Sequence, residues 1–251
     1  MIREELVFGP IKSRRLGSSL GINISPEHGK LCNFDCIYCE CGWNKDGRDD
    51  TRIPTPEELE RALRSRLESC VKDGIKLDSI TFSGDGESTL HPQFPKMIDI
   101  ALALRDEFYP SCRVSVLSNA TNITNPLVVE ALKRVDEPIL KLDAPTAALA
   151  EIINKPQCVY DPAKVAEWMS VFNGNFTLQT IFIKSKEFDT SSPEVLNGLF
   201  RLIRQVRPRK IMFYTVARPT PLEGVEKIAA DQIKELVKPL FDEGFEIQIN
   251  G

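Results

Sequence analysis

Four of the seven cysteines in this 251-residue sequence fall within ten residues, and this group is the first candidate for chemistry. The group consists of Cys32, Cys36, Cys39 and Cys41. The first three have spacings of four and three, so one short loop can point three thiols to the same side. The other three cysteines are far from one another, and we expect Cys70 and Cys112 to pack in helix or sheet and Cys158 to lie in a loop.

An odd number of cysteines in a chain without a secretion signal is poor material for disulfides, which directs attention to metal binding. A structural zinc site takes four ligands, usually in two separate pairs, and four cysteines in ten residues leave no second pair. Three thiolates suit an iron–sulfur cube in which one iron stays open to bind a small molecule. The role of Cys41 stays open.

The segment Lys30–Cys39 resembles the signature of the radical S-adenosylmethionine (radical SAM) enzymes, in which such cysteines follow a first strand. The resemblance implies that Cys32, Cys36 and Cys39 bind a [4Fe–4S] cluster and that Tyr38 lies beside the adenine of S-adenosylmethionine. In that family the open iron binds S-adenosylmethionine, and an electron from the cluster cleaves it to a 5′-deoxyadenosyl radical. The implied source of the electron is an external low-potential donor such as flavodoxin or ferredoxin.

A second motif, Gly84-Asp85-Gly86-Glu87, ends the second predicted strand. Glycines let the backbone approach a ligand closely, and a carboxylate accepts hydrogen bonds from an ammonium group. The motif resembles the Gly-Gly-Glu segment that binds the amino group of S-adenosylmethionine in the family, with Asp85 where a glycine is common. A simple tight turn is the alternative interpretation.

Polar residues also end the third and fourth predicted strands. Ser118 and Asn119 suit hydrogen bonds to a ribose, or a turn or cap. Lys141 and Asp143 are two residues apart, so a strand places them on the same face. If that face is buried, the two charges must pair with each other or with a ligand. The resemblance implies contact with S-adenosylmethionine, and a structural ion pair is the alternative.

The glycine-rich segment Phe8–Asn23 and the sequence from Tyr214 to Arg218 are similar to one subgroup of the family. That subgroup consists of iron–sulfur oxidoreductases distantly similar to the wybutosine-synthesis tRNA enzymes. The resemblance implies candidate substrate residues in both segments and on the fifth strand. These candidates are Arg14, Arg15, Gln179, Tyr214 and Arg218. For the two adjacent arginines a charged surface loop is the alternative.

Apolar runs of strand length alternate with segments of helical period, which predicts an α/β fold with a mainly parallel sheet. The predicted strands are Leu20–Ile24, Ser79–Ser83, Arg113–Ser118, Ile139–Asp143, Phe176–Ile183 and Ile211–Val216, with a possible edge strand at Phe245–Ile249. The predicted helices are Pro56–Asp73, Phe94–Phe108, Pro126–Arg134, Pro162–Phe172, Pro193–Val206 and Ala230–Glu243. The resemblance implies a partial parallel (β/α)6 barrel, in which functional residues collect at the carboxyl ends of the strands.

Composition limits the classes of function. The sequence has 32 basic and 36 acidic residues, a net charge of −4, and 42% hydrophobic residues. We expect one domain over residues 1–251, with the first strand in 1–30, the cluster loop and a lid in 31–54, and further βα units in 55–251. The lid candidate is Glu40–Pro54. No apolar run approaches the roughly 20 residues of a membrane span, and the first residues do not form a signal peptide, so we expect a soluble, cytoplasmic chain with no membrane partner.

The sequence thus predicts a radical SAM enzyme that abstracts hydrogen from a small molecule, a nucleoside, a peptide or a protein. The absence of a basic excess disfavours a large nucleic acid. A glycyl-radical-type protein activase or peptide modifier is one alternative. A non-enzymatic iron–sulfur or zinc module is another, but it gives no reason for the Gly84–Glu87 motif. The motifs of serine hydrolases, zinc proteases, P-loop proteins and dinucleotide-binding proteins are absent from the sequence.

Overall fold

A computed structural model of the chain describes residues 5–45 and 50–251. The chain forms two compact units. The first contains the described residues up to Cys32, Asn44–Ser118 and Asn122–Pro138, and the second contains Asn33–Trp43, Asn119–Thr121 and Ile139–Gly251. The prediction of one domain over residues 1–251 stays a prediction.

Four strands follow one another in the sheet of the first unit, in the order β1-β2-β3-β4. They are β1 (Val7–Ser13), β2 (Gly17–Ile22), β3 (Ser79–Phe82) and β4 (Arg113–Ser118). Strands β2, β3 and β4 are parallel, whereas β1 pairs antiparallel with β2. The sequence did not predict β1, because Gly9 and Pro10 are poor strand residues and lie at an irregularity in the ladder.

Helices α1 (Pro56–Lys72), α2 (Phe94–Phe108) and α3 (Pro126–Arg134) belong to the first unit, and their predicted positions are confirmed within one residue. The start of α1 is fixed by a capping box, in which Thr55 and Glu58 satisfy each other's backbone N–H groups. Its buried side chains recur every three or four residues and form the apolar face of the helix. They are Leu59, Leu63, Leu67 and Cys70.

One face of the strands in the first unit is polar although it is buried. The Ser19 hydroxyl lies 2.9 Å from that of Thr81, and the Ser79 hydroxyl lies 2.8 Å from Thr81 and 3.1 Å from Ser115. Because side chains alternate along a strand, the residues between them face the other way and are apolar, as at Ile80. Each hydroxyl in this row therefore has a partner, which offsets the cost of its burial.

The second unit contains strands in the order β5-β6-β8-β10, and neighbours in the pairs β5–β6, β6–β8 and β8–β10 are parallel. They are β5 (Glu137–Lys141, whose first two residues belong to the first unit), β6 (Thr177–Ile181), β8 (Lys210–Tyr214) and β10 (Ile247–Asn250). The predicted edge strand near the end of the sequence is confirmed as β10. A separate short pair joins β7 (Ile183–Lys184) to β9 (Glu226–Lys227), so the predicted strand Phe176–Ile183 is interrupted at Phe182.

The helices of the second unit differ from the prediction in three places. They are α4 (Ala147–Ile153), α5 (Pro162–Met169), α6 (Pro193–Val206), α7 (Ala230–Leu236) and α8 (Lys238–Asp242). Helix α4 was not predicted, α5 passes into a 3-10 turn at Ser170–Phe172, and the predicted helix Ala230–Glu243 is two helices. Pro239 lies at the start of α8, where its missing N–H and fixed φ do no harm, but it cannot continue α7.

Candidate S-adenosylmethionine and cluster site

The cysteine loop is fixed to the second unit by its apolar residues. Ile37 and Tyr38 lie in a buried cluster that includes Leu149, Ile153 and Ile181. Two turns follow, since the Cys39 N–H donates to the Cys36 carbonyl at 3.0 Å and the Gly42 N–H to the Cys39 carbonyl at 3.1 Å. Cys36, Cys39 and Cys41 are partly exposed and form no disulfide, and the same holds for Cys32 in the first unit.

The segment from Ile153 to Tyr160, which we call the strap, runs beside this loop. The N–H groups of Asp35 and Ile37 donate to the carbonyls of Asn154 and Ile153, both at 3.0 Å. The ring of Phe34 meets Tyr160 edge-on, with 5.0 Å between the ring centroids. Hydrogen bonds on alternate loop residues and a ring contact therefore hold residues 34–37 in place from one side.

A buried polar network surrounds Tyr38. Its hydroxyl donates to the Asp143 carboxylate and accepts from Asn154 Nδ2 at 2.8 Å. Lys141 Nζ lies 2.9 Å from the Tyr214 hydroxyl, 4.0 Å from Asp143 Oδ2 and 4.8 Å from the centre of the Tyr38 ring. Lys141 and Asp143 thus lie on one face, as the strand period predicts, and they form a weak ion pair inside a larger network.

The charges of this network are set by burial and by its members. Burial alone lowers the pKa of Lys141, but Tyr214 and Asp143 outweigh it, so the pKa is above its ordinary value and the side chain is cationic. Burial and Asp143 hold the pKa of Tyr38 well above its ordinary value, so the hydroxyl keeps its proton. Burial raises the pKa of the Cys36 thiol, and Lys141 opposes that rise. The net effect is still a raised pKa, and the positive charge of Lys141 lowers the cost of forming the thiolate that a metal ligand requires.

In the first unit, the Gly84–Glu87 turn packs against the backbone that leads to Cys32. The Leu31 N–H donates to the Asp85 carbonyl at 3.2 Å, and the Glu87 N–H donates to the Leu31 carbonyl at 2.7 Å. Gly86 lies between these two bonds with φ +150°, and a Cβ there would be 2.0 Å from the Leu31 oxygen. Glycine is therefore required at this position by both backbone angle and space.

The two acidic residues of the turn are buried and already hydrogen-bonded. Asp85 Oδ2 accepts from Asn23 Nδ2 at 3.2 Å, and the Asp85 N–H donates to Asn23 Oδ1 at 2.9 Å. Glu87 Oε1 accepts from the hydroxyls of Thr89 and Ser118 at 2.5 and 2.8 Å. Predicted residues Gly84–Glu87 and Ser118 thus come together at the carboxyl ends of β3 and β4.

Asn119 belongs to the second unit, where it forms a polar turn. Its Nδ2 donates to Asn33 Oδ1 at 2.8 Å, and its Oδ1 accepts from the N–H and hydroxyl of Thr121 at 3.1 and 2.7 Å. Asn33 Nδ2 in turn donates to the Thr121 hydroxyl at 2.8 Å. The turn role weighed for Asn119 is therefore present.

The predicted substrate residues lie in different environments. Gln179 pairs in register with Lys141 and with Met212, and it is buried on β6. Its Nε2 has no hydrogen-bond partner among the described residues. Tyr214 ends β8 beside Lys141, whereas Arg218 is exposed and forms an ion pair with Glu40.

Arg14 and Arg15 lie in the turn between β1 and β2. This turn precedes β2, so it is at the amino end of the parallel strands of the first unit. The Gly84–Glu87 turn and Leu31 are at the carboxyl end. The expectation that the candidates collect at the carboxyl ends is therefore wrong for Arg14 and Arg15.

Three asparagines with central hydrogen bonds were missed by the sequence analysis: Asn23, Asn33 and Asn154. Asn23 lies inside the first predicted strand and Asn33 directly follows Cys32, so their positions offered a weak signal. Asn154 follows the unpredicted helix α4, and no local pattern marked it.

The remaining cysteines are as predicted, with Cys70 and Cys112 buried and Cys158 exposed in a loop. Part of the lid candidate Glu40–Pro54, residues 46–49, lies outside the described residues.

The thiols of the cysteine loop fit an iron–sulfur cube, in which each thiolate binds a different iron atom. They are partly exposed and form no disulfide, and hydrogen bonds hold the backbone of the loop. Across residues 5–45 and 50–251, no group of three or more His, Cys, Asp or Glu side chains is gathered as ligands of one ion.

The model of the Radical SAM superfamily matches residues 27–189, which include the cysteine loop, the Gly84–Glu87 turn, Lys141 and Asp143. The chain belongs to the radical SAM superfamily. Membership implies an enzyme that uses S-adenosylmethionine and an iron–sulfur cluster. In the described part of the chain, no helix has the length and apolar character to cross a membrane.

Two relatives show how this radical SAM chain compares in sequence. A UPF0026 protein of Helicobacter pylori is 29% identical over 95% of this chain and 74% of its own length. A protein of Brachyspira hyodysenteriae named GTPase Obg is 27% identical over 99% of this chain, but the match covers only 35% of that protein.

Among solved structures, Streptococcus suis SuiB bound to S-adenosylmethionine is similar over 92% of this chain and 50% of SuiB, with a TM-score of 0.66 and 17% identity. SuiB has also been solved bound to its precursor peptide SuiA. Identity this low shows the fold alone. The predicted class, an α/β partial parallel barrel of the radical SAM type, is confirmed. The chain spans about half the length of SuiB.

Proposed function

We propose that this radical SAM enzyme cleaves S-adenosylmethionine reductively at a [4Fe–4S] cluster bound by Cys32, Cys36 and Cys39, and abstracts hydrogen from a substrate. When bound, the cluster would pass on one electron from an external donor such as flavodoxin or ferredoxin. That electron would break the C5′–S bond of S-adenosylmethionine to give methionine and a 5′-deoxyadenosyl radical, which would take a hydrogen atom from a substrate carbon. The observation that carries the proposal is the hydrogen-bonded loop around Cys36 and Cys39 in a superfamily member, with the charge of Lys141 acting on the Cys36 thiol.

The chain's own residues account for the rest of the site. Gly84 and Gly86 let the turn pack closely against Asn23 and Leu31, and the carboxylates of Asp85 and Glu87 give it negative charge suited to an ammonium group. We assign the amino group of S-adenosylmethionine to this turn. Ser118 supports it through Glu87.

Other groups that suit S-adenosylmethionine lie in the second unit. The Lys141 ammonium suits the carboxylate of S-adenosylmethionine, and the Tyr38 ring offers an apolar face to adenine. Asn119 and Asp143 suit ribose hydroxyls. Asp143 also keeps Lys141 charged and Tyr38 fixed, so it stabilises the site even without a ligand.

For the substrate we infer a molecule with a hydrogen-bond acceptor that reaches Gln179. A buried amide donor without a partner in the described structure costs roughly 1–3 kcal/mol, and an acceptor on a ligand would remove that cost. A peptide carbonyl or a nucleobase carbonyl satisfies this requirement. The net charge of −4 favours the peptide over a tRNA-sized partner.

Anaerobic reconstitution tests the proposal. With iron, sulfide, a reductant and S-adenosylmethionine, we expect 5′-deoxyadenosine and methionine in equal amounts. Full iron loading without 5′-deoxyadenosine would favour a non-enzymatic iron–sulfur module, and retention of zinc with no iron would favour a zinc module. We expect Cys36→Ala to lose the cluster and the neighbouring control Cys41→Ala to keep it.

A further inference from the structure

Asn154 contacts the cysteine loop through both its backbone and its side chain. It caps helix α4, where its N–H donates to the Ala150 carbonyl at 2.8 Å, and its side chain is buried. Its Nδ2 atom lies 3.5 Å from the Cys36 sulfur, 2.8 Å from the Tyr38 hydroxyl and 2.9 Å from Asp143 Oδ2.

All three neighbours of this nitrogen accept hydrogen bonds. An uncharged amide NH2 group offers two N–H donors to these three acceptors, so one N–H is shared between two of them. The Tyr38 hydroxyl already donates to Asp143, so its oxygen is free to accept. A sulfur that becomes a thiolate is a better acceptor than the thiol, so cluster binding strengthens the contact with Cys36.

Backbone hydrogen bonds from the strap fix the position of Asn154 relative to Cys36. The Asn154 carbonyl accepts from the Asp35 N–H and the Ile153 carbonyl from the Ile37 N–H, on either side of Cys36. Lys155 follows with φ +44°, a left-handed conformation that is unfavourable for a non-glycine residue. This turn lets the carbonyls of Asn154 and Lys155 both face the Asp35 N–H, at 3.0 and 3.2 Å.

We propose that Asn154 is a positioning residue that hydrogen-bonds the Cys36 thiolate and raises the reduction potential of the cluster. A donor to a ligating sulfur withdraws electron density and stabilises the reduced, more negative state. The external donor then reduces the cluster more readily. The inference rests on the proposed function, since it needs a cluster on Cys36, but it does not depend on the substrate.

The test compares midpoint potentials of reconstituted wild-type protein and Asn154→Leu, without S-adenosylmethionine. Leucine has the same number of side-chain heavy atoms as asparagine but no donor. We expect the equilibrium constant for reduction to fall about tenfold, which is about 59 mV to more negative potential for one electron. Exposed Asn175→Ala is the control for loss of an asparagine in the same unit. It should not shift the potential comparably.

A second measurement does not depend on the folding of a variant. Wild-type protein with 15N in the side-chain amide of asparagine should show a weakly coupled nitrogen in pulsed EPR of the reduced cluster. No [4Fe–4S] cluster in wild-type protein would defeat the proposed function itself. A wild-type cluster without nitrogen coupling, or with an unchanged potential in a cluster-containing Asn154→Leu variant, would defeat this inference alone. An equal shift in Asn175→Ala would also overturn it, since the effect would then not depend on a contact with Cys36.

Discussion

Gly86 leaves no room for a side chain at the point where its turn meets the backbone before Cys32. In Gly86→Ala the added Cβ would be 2.0 Å from the oxygen and 2.6 Å from the carbonyl carbon of Leu31. Both are backbone atoms, so no change of rotamer can relieve the contact. The two segments must separate, and the flanking bonds at 3.2 and 2.7 Å must lengthen or break.

The loss of folding free energy in Gly86→Ala has two contributions, the lost hydrogen bonds and the unfavourable backbone angle. Loss of two backbone hydrogen bonds costs about 0.5–1.5 kcal/mol each, and alanine at a positive φ that favours glycine costs about 1–3 kcal/mol. We therefore expect Gly86→Ala to lower the free energy of unfolding by about 2–6 kcal/mol. Because Leu31 moves, Cys32 should move with it, and the variant should bind less iron.

The matched control is Gly74→Ala. Gly74 follows helix α1 with φ +66°, and a Cβ there would meet no atom within 4 Å. Only the backbone angle is penalised, by about 1–2 kcal/mol. Urea denaturation of the metal-free, reduced proteins measures both costs, and iron analysis after reconstitution measures the consequence for the cluster. If Gly86→Ala were no less stable than Gly74→Ala and bound a full complement of iron, the contact with Leu31 would not be what positions Cys32.

Three further results are expected. Asn23→Ala should lower the free energy of unfolding in urea by about 1–3 kcal/mol, because the buried Asp85 loses a donor and an acceptor; an unchanged midpoint would contradict this. The pKa of Tyr38 is higher in the folded than in the unfolded state, so the free energy of unfolding should fall as pH rises above the unfolded-state pKa of about 10. Tyr38→Phe should reduce that fall when urea denaturation is measured from pH 8 to 11. If the free energy of unfolding had the same pH dependence in both proteins, this expectation would be disproved. Burial raises the pKa of the Cys112 thiol to about 11, so iodoacetamide at neutral pH should modify exposed Cys158 first and Cys112 only on unfolding, as mass spectrometry can show; early modification of Cys112 would refute its burial.

Helices and strands were predictable where the residues that determine their start, end and apolar period lie within the element itself. Helix α1 has its cap, its proline and its apolar period within Thr55–Lys72, and its prediction was correct within one residue. The helix predicted at Ala230–Glu243 failed because its apolar period continues across Pro239, while the missing N–H of proline ends one helix there and starts another. Strand β1 was not predicted because Gly9 and Pro10 have poor strand propensity. In the structure its pairing with β2 outweighs that propensity.

The sequence alone determined which chemical groups lie close together along the chain. The thiol spacing, the glycine-acid turn and the alternation of strands and helices are local patterns that lie in short segments. Only the tertiary structure decided which groups meet. Asn154 reaches Cys36 across 118 positions, and Gly86 meets Leu31 through backbone contacts that residue types do not encode. It also placed Arg14 and Arg15 at the amino end of β2, which no pattern in their own segment could show. The physical reason is that burial and hydrogen-bond satisfaction are properties of packed neighbours, and neighbours in space are set by the whole fold.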